Sequence, residues 1–223
     1  MKQVICITGG ANGLGRELSA FFSRQAELII FDINEKILKT VSEKFNCDYQ
    51  ICDVSDFDCV SKSIKKVFKK YHRIDCFINS AGVYIDGEIE SNDPKLIKKV
   101  FEVNSLGPVF TTQVLVPFLK KQKSGTIINI NSTAGLHSKA FNSVYHSSKW
   151  ALTGFTESIQ PELASFGIKV VDICPGVMKT KFTDGTNCDL SKAMDPHQVV
   201  KAIDFILSLD SDTIISKLTI KHL

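Results

Sequence analysis

The chain has 223 residues, of which 43% are hydrophobic and 23% charged, with a formal net charge of +3. That is enough apolar material for one well-buried domain over residues 1–223, and nothing in the sequence demands a second. The lysines are spread through helical stretches rather than gathered in a basic stripe, which argues against a nucleic-acid partner. No apolar run is long enough to span a bilayer, which argues against a membrane one.

Seven cysteines (Cys6, Cys47, Cys52, Cys59, Cys76, Cys174 and Cys188) are odd in number and form no CxxC. Several lie inside apolar runs such as VICIT and VVDICP, where a thiol behaves as a small buried hydrophobe. They read as thiols of a reducing compartment, not as a disulfide framework or a zinc site. The N-terminus MKQVICITGG lacks the h-region and cleavage site of a signal peptide. A cytoplasmic protein without a metal is expected.

The first predicted strand, VICIT (4–8), runs straight into TGGANGLG (8–15) and a helix over 13–25. Gly9, Gly13 and Gly15 permit a tight turn, close backbone approach to a pyrophosphate and close packing of helix on sheet. The helix start offers free N–H groups and the positive end of its dipole. The next strand, LIIF (28–31), ends at Asp32, where a carboxylate can bond the ribose hydroxyls of an adenosine. Asp32-x-x-Glu35 would also make a capping box for a helix over 34–45. Positions 33 and 34 are Ile and Asn, and Asn12 rather than a basic residue precedes Gly13. A 2′-phosphate would therefore meet an unopposed carboxylate, so NAD is favoured over NADP.

A strand at 49–52 (YQIC), a helix over 55–71 and a strand at 76–79 (CFIN) follow. Asp93-Pro94 then opens a long helix over 94–122, with a capping side chain before a proline at the first helical position. Within that helix Pro108 has no N–H for the carbonyl of Asn104. The freed carbonyl can bind a buried water. After the strand 126–131 (TIININ) comes a helix over 143–166 that carries YHSSK (145–149). Tyr145 and Lys149, four residues apart, share one helix face. A phenol ordinarily titrates near about 10, and a fixed positive charge beside it favours the phenolate. Pro161 removes the bond to the Glu157 carbonyl and is expected to kink or end this helix beyond the Tyr/Lys face. A strand at 170–174 (VVDIC), a helix over 196–209 opened by Asp195-Pro196, and a strand at 217–220 (KLTI) complete the chain. Continuous apolar strands alternating with helices predict a seven-stranded, doubly wound parallel α/β sheet covered on both faces.

In this order the motifs resemble the short-chain dehydrogenase/reductase family over almost the whole chain. TGGANGLG is similar to that family's TGxxxGxG, and Asp53-Val54 to its adenine-contacting pair. Asn79-Ser80-Ala81-Gly82 is a variant of its Asn-Asn-Ala-Gly, with serine at the second place. VNSLGP holds Asn104 as the family's helix asparagine is held, Ser132 lies thirteen residues before Tyr145, and PGVMKT resembles the segment against the nicotinamide. The resemblance implies a Rossmann-type fold and cofactor contacts at Gly9, Asn12, Gly13, Leu14, Gly15, Asp32, Asp53, Val54, Asn79, Ala81, Gly82, Pro175, Gly176, Val177 and Thr180. It further implies Tyr145 as general acid/base and Lys149 as its charge partner and ribose ligand. Ser132 would hold the substrate oxygen, and Asn104 a water that links Lys149 to solvent.

The activity so implied is hydride transfer between NAD(H) and a small or medium alcohol/carbonyl substrate. Two other classes share the fold. A sugar epimerase or dehydratase that keeps its NAD would usually carry a larger C-terminal region, and a non-enzymatic nicotinamide sensor would be expected to lose the serine or tyrosine. His137 and His146 flank the site without metal-ligand spacing and read as polar rim residues. Cys174 and Cys188 have no evident base beside them. Substrate choice is expected in the loops 84–92, 133–144 and 177–195. Relatives pair the helices matching 94–122 and 143–166, which implies a homodimer or homotetramer; Trp150, Leu152 and Phe155 suit either that contact or the core.

Overall fold

The computed structural model describes residues 2–184 and 189–223, so Cys188 lies outside the described residues. Seven strands, β1 (Val4–Thr8), β2 (Glu27–Asp32), β3 (Asp48–Ile51), β4 (Cys76–Asn79), β5 (Gly125–Ile130), β6 (Ile168–Pro175) and β7 (Lys217–Ile220), form one sheet in the order β3-β2-β1-β4-β5-β6-β7. Every neighbouring pair is parallel. The strand order reverses between β1 and β4, and in an open α/β sheet the crevice at that reversal is where a ligand binds. The chain thus forms the predicted Rossmann-type sheet.

The helices are α1 (Gly13–Phe22), α2 (Glu35–Phe45), α3 (Phe57–Tyr71), α4 (Pro94–Phe101), α5 (Gly107–Gln122), α6 (Ser143–Ala164) and α7 (His197–Ser208). Side chains alternate across a strand, so each strand feeds two cores. Ile5, Ile7, Ile30, Ile78, Ile128, Val171 and Ile173 pack against α1, α2 and α7. Val4, Cys6, Ile29, Phe77, Ile127 and Val170 pack against α3, α5 and α6. Near the strand ends this second face turns polar: Asn79, Asn129 and Asp172 are neighbours in register across β4, β5 and β6, and Lys217 of β7 continues the row.

Several local expectations need correction. The single helix over 94–122 is two helices joined by a π-helical turn, Glu102–Leu106, centred on Asn104. Pro108 cannot close the normal ladder there, and the backbone widens so that Gly107 N–H donates to the Glu102 carbonyl instead. The cap of α2 is Asn34, whose side chain accepts from Ile37 N–H; Asp32 is not the capping residue. Pro161 does not end α6, which runs on to Ala164. Asp93 caps α4 as expected, accepting from Lys95 N–H at 2.9 Å. Asp195 accepts from His197 N–H at 2.9 Å, with α7 beginning one residue after Pro196. Leu152 is a core residue at 1% exposure, whereas Trp150 is 47% exposed. No helix among the described residues is long and apolar enough to cross a membrane.

Candidate active site

The glycine-rich turn between β1 and α1 forms one wall of the crevice. Gly9 has φ +65°, a left-handed conformation, and a Cβ there would lie 2.9 Å from Ala81 Cα. A Cβ at Gly15 would collide with the Gly9 carbonyl oxygen, so α1 can start where it does only with a bare Cα. Asn12 makes no side-chain cap to α1, and the first turn of α1 holds no acidic residue. By contrast α2, α3 and α4 are capped by Asn34, Asp56 and Asp93. The start of α1 therefore keeps its N–H donors for an anionic group, which fits the phosphates of a dinucleotide. Leu14 is buried in the core, so only its backbone is available to such a ligand. Thr180 faces Gly13 across the crevice, its Cβ 3.9 Å from where a Gly13 side chain would begin.

Asp32 is tied to this turn. Its Oδ2 accepts from Ala11 N–H at 3.3 Å and its Oδ1 from Asn34 N–H at 3.1 Å. Asp53 accepts from Ser55 and pairs with Lys99 Nζ of α4 at 3.0 Å; these bonds hold its carboxyl below the ordinary range against the opposing effect of burial. Val54 packs under Gly107. After β4, the Ser80 and Ala81 N–H groups both donate to Thr8 Oγ1, at 3.0 and 3.2 Å. The threonine of TGG thus fixes the Asn79–Gly82 turn, a role the motif reading did not assign. The Asn79 side chain points away from the crevice: its Nδ2 donates to Asn129 Oδ1, and its Oδ1 accepts from Thr111 Oγ1, both at 2.8 Å. Gly176 N–H donates to the Ile220 carbonyl at 2.7 Å, anchoring the Pro175–Val177 segment on β7. Val177 itself is 39% exposed.

Tyr145 and Lys149 do share one face of α6, and both are buried, at 8% and 4% exposure. The ammonium lies 5.9 Å from the Tyr145 ring centre and donates to the Ile130 carbonyl at 2.9 Å, which ties α6 to the end of β5. Burial pushes Lys149 down from 10.5 to about 8, with the Asp172 carboxylate and then Cys174 acting in the opposite sense. Ser132 stands two residues past β5, and its oxygen accepts from Ala134 N–H at 3.1 Å, so its hydroxyl hydrogen is not spent in that bond. Asn104 is fully buried. Its Oδ1 accepts from Val83 N–H at 2.8 Å, while Nδ2 donates to the Val83 carbonyl at 2.8 Å and to Ser148 Oγ at 3.1 Å. Its side chain therefore fastens the loop after β4 to α6, leaving the main-chain carbonyl as the group for the expected water.

Aromatic rings cover the tyrosine. Tyr84 meets Tyr145 edge-on with centres 4.8 Å apart, and Phe182 lies 6.2 Å from Tyr145 and 6.0 Å from Tyr84. An open cavity of about 340 Å³ between Gly87–Glu90 and Phe141–Ser143 connects two of the loops expected to choose the substrate. His146 Nδ1 meets the His137 carbonyl at 2.6 Å, which links the two rim histidines. Among the described residues no group of three His, Cys, Asp or Glu could hold a metal ion. Asp172 is a polar site residue in the middle of an apolar strand that no motif marks. It is fully buried, and its only visible cue was a charge inside VVDIC.

The chain is 29% identical over 223 residues to an uncharacterised oxidoreductase of Staphylococcus epidermidis, covering 99% of this chain and 97% of that one. It is also 29% identical over 210 residues to human estradiol 17-beta-dehydrogenase 11, covering 90% of this chain and 70% of that one. The solved structure of ElxO with NADP bound superposes with a TM-score of 0.89 at 27% identity, covering 99% of this chain and 97% of that one. The short chain dehydrogenase model matches residues 3–191, and the chain belongs to the short-chain dehydrogenase/reductase family of oxidoreductases.

Proposed function

We propose that the protein is an NAD-dependent dehydrogenase or reductase of a small or medium alcohol/carbonyl pair, with Tyr145 as its general acid/base. The observation that carries this reading is the buried Tyr145–Lys149 face seated on the end of β5, with the ammonium fixed by the Ile130 carbonyl. When bound, NAD(H) supplies the hydride donor or acceptor, and the residues orient and protonate. Tyr145 gives its proton to the substrate oxygen in reduction and takes it in oxidation. Lys149 holds positive charge beside the phenol, which favours the phenolate, and it would hold the ribose hydroxyls of a bound cofactor. Ser132 donates its free hydroxyl hydrogen to the same substrate oxygen. The Asn104 carbonyl holds the water through which Lys149 exchanges protons with solvent.

The dinucleotide would lie across the β1/β4 crevice. Its phosphates would meet the N–H groups of Asn12 to Gly15 with Thr180 opposite, and its adenine the Asp53-Val54 edge. The ribose and nicotinamide would lie along the backbones of Asn79, Ala81 and Gly82 and the Pro175–Val177 segment. Asp32, held toward the glycine turn through Ala11 N–H, supports NAD over NADP, although ElxO carries NADP. The exposed Trp150, Leu106 and Phe101 support a homodimer or homotetramer, which light scattering would measure.

Oxidation of NADH and NADPH should be followed across a panel of ketones, diketones, sugars and steroids beside Tyr145→Phe. Turnover with NADH that falls about 10²–10⁴-fold in the variant is expected. Faster turnover with NADPH would remove Asp32 from the reading. Silence across the panel with NADH still bound would favour a sensor or an epimerase.

A further inference from the structure

Of the 27 Lys and Arg and 24 Asp and Glu side chains, one basic and one acidic residue are buried among the described residues: Lys149 at 4% and Asp172 at 0% exposure. A buried charge is tolerated when another charge or several hydrogen bonds balance it. Neither residue has such a set to itself. The Lys149 ammonium has the Ile130 carbonyl. The Asp172 Oδ2 takes a 3.2 Å bond from Asn131 Nδ2 and a 3.6 Å contact from the Cys174 thiol, and its Oδ1 has no hydrogen-bond partner among the described residues. Both lie on the same side of the sheet, where α6 packs against β6.

We propose that Asp172 is the buried counter-charge of Lys149, a positioning residue that keeps the lysine protonated and so keeps Tyr145 in working order from beneath the site. This inference rests on the Tyr145–Lys149 reading and extends it one layer into the sheet.

The surroundings leave Asp172 few other partners. From β7, Lys217 is its neighbour in register and pulls its carboxyl down more than Lys149 does, but that ammonium is partly exposed and paired with Glu157 of α6, whereas Asp172 is the largest opposing charge on the buried Lys149. From β5, Asn129 spends its amide on Thr156, and Asn131 reaches Asp172 with one N–H while also bonding Thr153 Oγ1. On its own strand, burial pushes the Cys174 thiol up to about 12, so it stays neutral. From α6, the remaining charged group that acts on Asp172 is Lys149 itself. Thr153 Oγ1, the other partner of Asn131, shares its hydrogen between the Gly135 carbonyl at 3.0 Å and the Lys149 carbonyl at 3.2 Å. One hydrogen-bonded path therefore joins the acid to the backbone of the lysine, in addition to the direct attraction between their charges. Burial pushes the Asp172 carboxyl above its ordinary range, with Asn131, Cys174, Lys217 and Lys149 pulling it back.

The test is an NMR titration of the Lys149 side chain in the full chain, wild type against Asp172→Asn and Asp172→Glu, with no substrate present. In Asp172→Asn the lysine midpoint is expected to fall by about one pH unit or more, the usual size for loss of a close opposite charge. Asp172→Glu, which keeps the charge, should stay near wild type. The limb of the kcat pH profile that reports the Tyr145–Lys149 pair should move with the midpoint, which a merely structural role would not produce. An unchanged Lys149 midpoint in Asp172→Asn would overturn the proposal. Should the variants fail to fold, the carboxyl-carbon shift of Asp172 in the wild-type chain decides: ionised at neutral pH supports the pair, and protonated at neutral pH overturns it. Because the titration needs no turnover, a protein that reduces none of the carbonyls tested would sink the proposed activity and leave this result standing.

Discussion

The two faces of the sheet are built from the same strands by the same alternation, yet they carry different loads. The face under α1, α2 and α7 is apolar from edge to edge, as at Ile30, Ile7, Ile78, Ile128 and Ile173. The face under α3, α5 and α6 begins in the same way and then becomes a row of Asn79, Asn129 and Asp172 beneath the Tyr145–Lys149 face. Apolar packing is non-directional and stabilises through area. A buried polar row stabilises only if each group finds a partner, and in return it fixes side chains at defined positions. Here the row fixes α5 and α6 against the strand ends: Thr111 of α5 bonds Asn79, Thr156 of α6 bonds Asn129, and Thr153 of α6 bonds Asn131. The first face holds the molecule together, and the second holds the site in shape.

Substitutions can break that division of labour. Ile203→Ala in α7 empties a fully buried position of the apolar face. It should cost about 2–5 kcal/mol in urea unfolding and leave nucleotide affinity unchanged. A loss of nucleotide binding at equal folding would show that the faces are not separable. A second test uses pH. The unfolded chain keeps the Lys149 proton up to 10.5, whereas the folded chain releases it through about 8. Across that window the unfolded state binds more protons, so stability rises with pH, by up to about 3 kcal/mol. Lys149→Met should lack this rise, and urea unfolding of both proteins at pH 7.5 and 10 measures the difference.

Asn129→Leu should cost about 1–3 kcal/mol although it adds apolar surface, because it leaves the Asn79 amide without its acceptor. A neutral or stabilising result by thermal unfolding would mean that the row relaxes more freely than the apolar face. The smallest effect belongs to the partly exposed pair Lys99–Asp53. Lys99→Ala should change stability by about 0.2–1 kcal/mol and lose even that in high salt. A larger change in adenine-nucleotide affinity than in stability would assign the pair to the site.

The local shape of the candidate site was legible because its signals are local. Three glycines at fixed spacing, an acid at the end of the second strand and a tyrosine and lysine one helical turn apart constrain the backbone and side chains within a few residues of themselves. Local shape was legible in this way at Tyr145 and Lys149. It was less so at Asn104, where the missing N–H of Pro108 was visible but its consequence, a π-helical turn locked to Val83 and Ser148, depends on a loop twenty-one residues earlier in the chain. Asp32 does not cap α2 because Asn34, two residues later, competes for the same helix start and takes it.

By itself the sequence determined the order of strands and helices, the parallel sheet and the face of α6 that carries Tyr145 and Lys149, since periodicity, glycine geometry and capping act within one element. Only the tertiary structure decided what lies behind that face. Thr8 meets the turn after β4 from seventy-two residues away, Lys99 meets Asp53, and Asn131 joins Asp172 of β6 to Thr153 of α6. A polar side chain in a strand looks alike whether it faces water or a buried ammonium. The register of neighbouring strands and the helix laid across them distinguish the two, and those are fixed by contacts between residues far apart in the chain.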